Sequence, residues 1–401
     1  MEYEQNLLFT PEGVRDIYGL ECEKREWVEA GIRKIMKLYG FQDILTPTFE
    51  FFDIFNRERG TVESKEMFKF FDQYNNTLAL RPDITPSIAR CVAKYYSEEE
   101  MPIRLSYSGN TFIHRRGYQG KLSEIAQIGA ELMNDSSSDA DAEMIAMTVE
   151  CLAKSGLKEF KIDVGHAGFI RGLMEESGFS SGEIQEYKRL IANKNSFGVE
   201  EMIEKKNLSS QLKELLIRLP DLFGAKETLA YARERVNHLG ALEALQRLET
   251  VQEILGIYGL EESVTFDLGM LSHYDYYTGI IFKAYTYGTG EAIVTGGRYD
   301  KLIEQFGKKS PAVGLAIVLD QLMNALASQK AEIPTETDGI LILYRSASRE
   351  KAVHLGNCYR NEGRRVMLMR RDAQTELEVY RGYALENQIS SIVYVEDDQT
   401  T

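Results

Sequence analysis

Asp275-Tyr276-Tyr277-Thr278-Gly279 stands shortly before Gly296-Gly297-Arg298-Tyr299-Asp300, and the stretch between them decides the fold. Gly279-Ile-Ile-Phe-Lys-Ala-Tyr-Thr-Tyr287 and Glu291-Ala-Ile-Val-Thr295 are β-rich runs joined by Gly288-Thr-Gly290, glycines placed for a hairpin turn. A phosphate-cradling role for that GxG is the minority reading, because the turn itself needs the backbone freedom. Working outward, strand patterns recur at 77–80, 103–107, 111–114 and 124–129, which together predict an antiparallel sheet, and again at 160–164 and 265–268. Helical spacing marks 23–39, closed by Gly40, and 140–153, behind the capping run Ser136-Ser-Ser-Asp-Ala-Asp141. From 167 to about 258 the pattern is almost wholly helical and reads as an insertion.

A polar segment at 328–338, containing Pro334, separates this body (1–327) from a tail domain (339–401). The tail alternates strands at 340–344, 365–369 and 392–395 with helices at 349–361 and 375–387. This βαβαβ order predicts a small, mainly parallel three-stranded sheet. The fold class is therefore α+β, with a small C-terminal α/β domain.

Composition narrows the function. The 401 residues suit two or three domains, and 43% are hydrophobic, enough for a sizeable core. A formal net charge of −15 opposes general binding to nucleic acid, which rests on Lys and Arg neutralising phosphates. Cys22, Cys91, Cys151 and Cys358 show no CxxC spacing, so neither a zinc site nor a disulfide framework is expected. The five histidines, His114, His166, His238, His273 and His354, show no metal-ligand pairing. No basic, apolar leader opens the chain and no apolar run approaches a membrane span, so a cytoplasmic protein without a membrane role is expected. The tail carries Arg345, Arg349, Lys351, Arg360, Arg364, Arg365, Arg370 and Arg371, read as plain solvation or as a remnant RNA or partner surface.

Two short patterns carry chemistry. Arg81-Pro82-Asp83-Ile84-Thr85 puts a carboxylate and a hydroxyl just after a strand, acceptors suited to an ammonium group. Taken alone, Asp83 reads as a helix N-cap or a surface charge. Gln127, Gly129 and Glu131 alternate, so Gln127 and Glu131 share a face, with Gly129 leaving space between them. A carboxylate in such a space accepts an imidazole N–H and favours its charged form. Standing alone, these residues read as a half-exposed strand face.

They are not alone. Tyr39-Gly-Phe41 with Thr46-Pro47 and Glu50 resembles the first class II aminoacyl-tRNA synthetase motif, and Phe112-Ile-His-Arg-Arg116 through Gln127-Ile-Gly129 resembles the second. Pro311-Ala-Val-Gly314 to Leu322 resembles the third. Leu80-Arg-Pro-Asp-Ile-Thr85, Asp275-Tyr-Tyr277 and Gly296-Gly-Arg-Tyr-Asp300 resemble histidyl-tRNA synthetase signatures, collinear over about 13–323. The resemblance implies a class II synthetase-like antiparallel sheet flanked by helices, a tail like a shortened anticodon-binding domain, and a homodimer core. It also implies that Asp83, Thr85 and Gln127 receive a histidine amino group, while Glu131, Tyr276, Tyr277 and Tyr299 surround its imidazole.

The departures fall on cations. Family arginines that serve adenylation align with Ile113, Ser272 and Gln321, a motif-three glycine with Val318, and a family glutamate with Arg115. Losing one preorganised donor costs roughly 10²–10³-fold, so losing three implies no catalytic residues and no aminoacylation. Arg115, Arg116 and Arg298 remain as candidate anion-binding residues. A histidine pocket without adenylation groups resembles the family of ATP phosphoribosyltransferase regulatory subunits. That resemblance implies a short-form catalytic subunit as partner in the first step of histidine biosynthesis, L-histidine as feedback effector, and no cofactor or metal. The alternatives are a divergent histidyl-tRNA synthetase and a free-standing histidine-sensing paralogue.

Overall fold

The computed structural model describes residues 8–55, 62–114, 122–271, 276–335 and 339–396. The chain divides into two compact units, one running to Ile333 and one beginning at Pro334. Strands are numbered in chain order. In the first unit they are β1 Gln42–Asp43, β2 Phe49–Phe51, β3 Lys69–Phe71, β4 Thr77–Leu80, β5 Ile103–Phe112, β6 Glu124–Met133, β7 Lys161–His166, β8 Phe223–Gly224, β9 Val264–Asp267, β10 Ile280–Tyr285, β11 Val294–Arg298 and β12 Ala312–Val318. In the second they are β13 Ile340–Tyr344, β14 Val366–Arg370 and β15 Ser391–Val395.

Among the described residues, nine strands form one sheet in the order β1-β5-β6-β12-β11-β10-β7-β9-β8. It is antiparallel except for β1 with β5 and β7 with β9. The expected antiparallel α+β sheet is borne out, with two differences. Residues 103–114 do not break into two strands: β5 runs unbroken through Gly109, where a Cβ would collide with the Arg81 guanidinium crossing there. β4 does not join the main sheet but pairs with β2 and β3 in a separate three-stranded sheet, whose inner face packs Phe55, Met67 and Ala79.

The large sheet's two faces have different partners. Ile128, Ala130 and Leu132 of β6 and Val313, Leu315 and Ile317 of β12 face the main core with the helices Gly19–Leu38, Ser138–Lys154 and Leu319–Ser328. Ser138–Lys154 begins where Ser137 Oγ accepts the Ala140 N–H at 3.1 Å, and it is buried nearly all round because it fills the layer between the sheet and Leu239–Ile257. The helices between residues 167 and 257 share this same core through Phe169, Tyr187, Leu215 and Leu245, so the stretch is fused to the body; β8 within it even extends the sheet. The opposite face is covered by the helix Thr85–Tyr95, the turn Ile303–Phe306 and Tyr276, Tyr277 and Tyr299.

The second unit forms the expected βαβαβ arrangement, a parallel sheet in the order β14-β13-β15. Helix Arg349–Asn361 covers the face bearing Ile340 and Ile342, and Leu377–Glu386 the face bearing Leu341 and Leu343. No helix among the described residues is long and apolar enough to cross a membrane.

Candidate functional site

Strand register assembles the site. Tyr107 of β5 lies opposite Gly129 of β6, which lies opposite Ala316 of β12; Glu131 lies opposite Gly314, and Gly314 opposite Gly297 of β11. Directly paired residues share a face, so Gln127, Gly129, Glu131, Gly314, Ala316, Thr295 and Gly297 form one floor. Its glycines are needed for close approach: a Cβ on Gly314 would fall inside the Glu131 carboxylate, and one on Gly297 would stand 2.8 Å from the Tyr277 ring. The space expected at Gly129 is filled, because the Tyr107 ring lies across it. That is a correction to the sequence reading, and its cause is a partner strand that spacing along β6 cannot reveal.

Over this floor, the start of Thr85–Tyr95 brings in Asp83 and Thr85, and the segments flanking β10 and β11 bring in three tyrosines. Asp83, Thr85, Gln127, Glu131, Tyr276, Tyr277 and Tyr299 all line one small cleft, about 320 Å³ with its mouth included. Tyr276 packs edge-on against Tyr277 and Tyr299, at centroid distances of 5.0 and 5.6 Å.

Buried carboxylates dominate the electrostatics. Glu131 is 1% exposed; Thr85 Oγ1 donates to its Oε1 at 2.8 Å and Tyr299 Oη donates to its Oε2. Burial nonetheless pushes its pKa up to about 8, with the nearby Asp83 adding to the rise and the two hydroxyl donors opposing it. Asp83 accepts the Thr85 N–H at 3.2 Å and the Tyr276 hydroxyl at 3.4 Å, and burial raises its pKa too. Gln127 Oε1 is buried without a partner among the described residues. The cleft therefore holds two desolvated acids and an unused acceptor, an arrangement that favours a cationic, donor-rich ligand.

The remaining sequence candidates sit elsewhere or outside the description. Arg298 points to the other face of β11, where its guanidinium meets Asp141 at 2.7 Å and Asp300 at 3.3 Å. Ile113 follows β5 and is half-buried, as is Gln321 in Leu319–Ser328. Beside Gln321, Asp320 pairs with Arg25 at 2.7 Å. Arg115, Arg116, Ser272, His273 and Asp275 lie outside the described residues. Among the described residues, no group of three or more His, Cys, Asp or Glu side chains could hold a metal. Sequence reasoning missed Thr295, Gly314 and Ala316 as lining residues, and Tyr107 as the ring across Gly129. Gly314 was within reach, since it stands in the third class II motif; the others emerge only from strand register.

The histidyl-tRNA synthetase family model matches residues 13–322. The chain is 38% identical over 392 residues to the ATP phosphoribosyltransferase regulatory subunit of Acetivibrio thermocellus, covering 98% of this chain and 93% of that one. It is 37% identical over 391 residues to that of Ruminiclostridium cellulolyticum, with coverage of 98% and 93%. A solved structure from Bacillus halodurans, an ATP phosphoribosyltransferase regulatory subunit/histidyl-tRNA synthetase, superposes with a TM-score of 0.86 at 29% identity, covering 97% of this chain and 98% of that one. On full-length similarity at this level, joined to a synthetase fold, the chain belongs to the family of ATP phosphoribosyltransferase regulatory subunits.

Proposed function

We propose that this chain is a non-catalytic, histidine-sensing subunit that works in the cytoplasm with a short-form ATP phosphoribosyltransferase catalytic chain, in the first step of histidine biosynthesis and its feedback inhibition. One observation carries the reading. The seven residues matching a histidine pocket line a single cleft, while the positions that would hold cations for adenylation carry Ile113, Ser272 and Gln321. Asp83, Thr85 and Gln127 receive the α-ammonium group; Glu131, Tyr276, Tyr277 and Tyr299 receive the imidazole.

The charge balance supports this assignment. At neutral pH the empty site keeps a proton on Glu131, and free imidazole, with a pKa near 6.5, enters largely neutral. The complex then shares one proton between carboxylate and ring. Affinity is greatest between about pH 6.5 and about 8, where Glu131 loses that proton in the empty site. Feedback further requires that histidine bind one state of the hetero-oligomer more tightly than another. The outer face of the β2-β4-β3 sheet exposes Phe49, Phe51 and Phe70 in the single chain, an apolar surface that supports a homodimer core.

Calorimetry with L-histidine and other amino acids tests the sensing half. ATP–pyrophosphate exchange, expected to be absent, and restored activity of a short catalytic subunit test the rest. Histidine binding no tighter than that of other amino acids, or transfer of histidine to tRNA, overturns the proposal.

A further inference from the structure

Arg81 follows β4 directly and is buried, 7% exposed, with no carboxylate in ion-pair range among the described residues. Burial lowers its pKa, so the fold holds this charge at a cost. Its guanidinium is spent on main-chain carbonyls: Nε donates to Asn110 O at 2.8 Å and Nη1 to Thr46 O at 2.9 Å. One fork thus joins β5 to the segment that enters β2. The backbone of Arg81 is held as well, its N–H donating to Thr48 O at 2.9 Å and its carbonyl accepting the Phe112 N–H at 2.9 Å.

These bonds lead into the histidine cleft by two routes. Along the chain, only Pro82 separates Arg81 from Asp83, and proline fixes its own φ, so a shift of Arg81 is passed on to that carboxylate. Across the sheet, the guanidinium lies against Gly109, where a Cβ would collide with it, and Gly109 of β5 is paired with Gln127 of β6. Directly paired residues share a face, so the guanidinium stands beside Gln127 on the floor of the cleft. Gln127 Oε1 has no hydrogen-bond partner among the described residues to hold it, which leaves its placement to packing. A glycine inside a ten-residue strand and a desolvated cation are both costs to the fold. What they secure together is the spacing of Asp83 and Gln127.

We propose that Arg81 is a positioning residue for the ammonium subsite: its fork holds Asp83 and Gln127 at the separation that grips an α-ammonium group, without touching the ligand. The inference rests on the histidine reading of the cleft. The test compares L-histidine with imidazolepropionate, which keeps the ring and carboxylate and lacks the amino group, by ligand-detected NMR titration of the full chain. The wild type should prefer histidine. Arg81→Met should weaken histidine binding about tenfold or more and leave the affinity for the analogue unchanged. Gly109→Ala, which crowds the guanidinium without removing it, should act in the same direction to a smaller degree, and it decides the question should Arg81→Met fail to fold. Equal losses for the two ligands, as a merely structural role would give, or no loss for either, overturn the inference while the histidine reading stands. Failure of the wild type to bind histidine overturns that reading, and the inference with it.

Discussion

The two faces of β11 treat buried charge differently. On one face Asp83 and Glu131 are buried in the same cleft, and Asp83 adds to the rise in the Glu131 pKa; on the opposite face Arg298 meets both Asp141 and Asp300, and Arg247 shares Asp141. A buried charge without full compensation costs free energy. Where a fold retains one beside a cleft, the sign of the imbalance indicates the charge of the ligand. The same strand thus borders an acidic cleft at Tyr299 and carries a paired ion network at Arg298.

The largest effect is expected from Asp141→Ala, which removes the buried carboxylate that Arg298 and Arg247 share. Breaking a buried ion pair costs about 3–5 kcal/mol, to be read as a fall in the urea midpoint; a loss below about 1 kcal/mol, the scale of an exposed pair, would break the comparison. Next comes Gly314→Ala, whose methyl group falls inside the Glu131 carboxylate. Overpacking costs about 1–3 kcal/mol, and calorimetry should show histidine binding lost.

Glu131→Gln is milder for the fold and specific for the ligand. Removing a charged hydrogen-bond partner weakens histidine binding by about 1.5–3 kcal/mol. It also changes the dependence on pH. Because burial lifts the Glu131 pKa from 4.5 to about 8, the folded state holds a proton that the unfolded state has released. Its contribution to stability is complete below about pH 4.5 and is lost as pH rises through about 8. The ligand-free wild type should lose stability across that window and the variant should lose less, as measured by denaturation midpoints. Tyr299→Phe is the smallest change, about 1 kcal/mol in histidine affinity. Without the Tyr299 hydroxyl to stabilise its charged form, Glu131 titrates higher, so the alkaline limit of histidine binding moves upward.

That these seven residues line one cleft was legible in the sequence because each stands in a short motif whose order along the chain is itself informative. Tyr107 was not legible as the ring that fills the space at Gly129: its position there depends on which residues of β5 and β6 pair, and a slip of one residue would turn it to the other face. The same reason hid the sheet to which β4 belongs. Arg298 was legible as a candidate anion ligand, but its partner Asp141 lies 157 residues away, beyond any local pattern.

The amino-acid sequence by itself determined the element types, the α+β class, the βαβαβ tail and the residues that line the small cleft. Periodicity, turn residues and side-chain chemistry are local properties, and the chain carries them wherever it folds. Only the tertiary structure decided that Tyr107 fills the space at Gly129, that Glu131 is buried enough to hold its proton near neutrality, and that Arg247 and Arg298 share Asp141 behind the same strand. Desolvation and charge balance depend on which distant segments exclude water from one another, and that is settled only when the sheet closes its register.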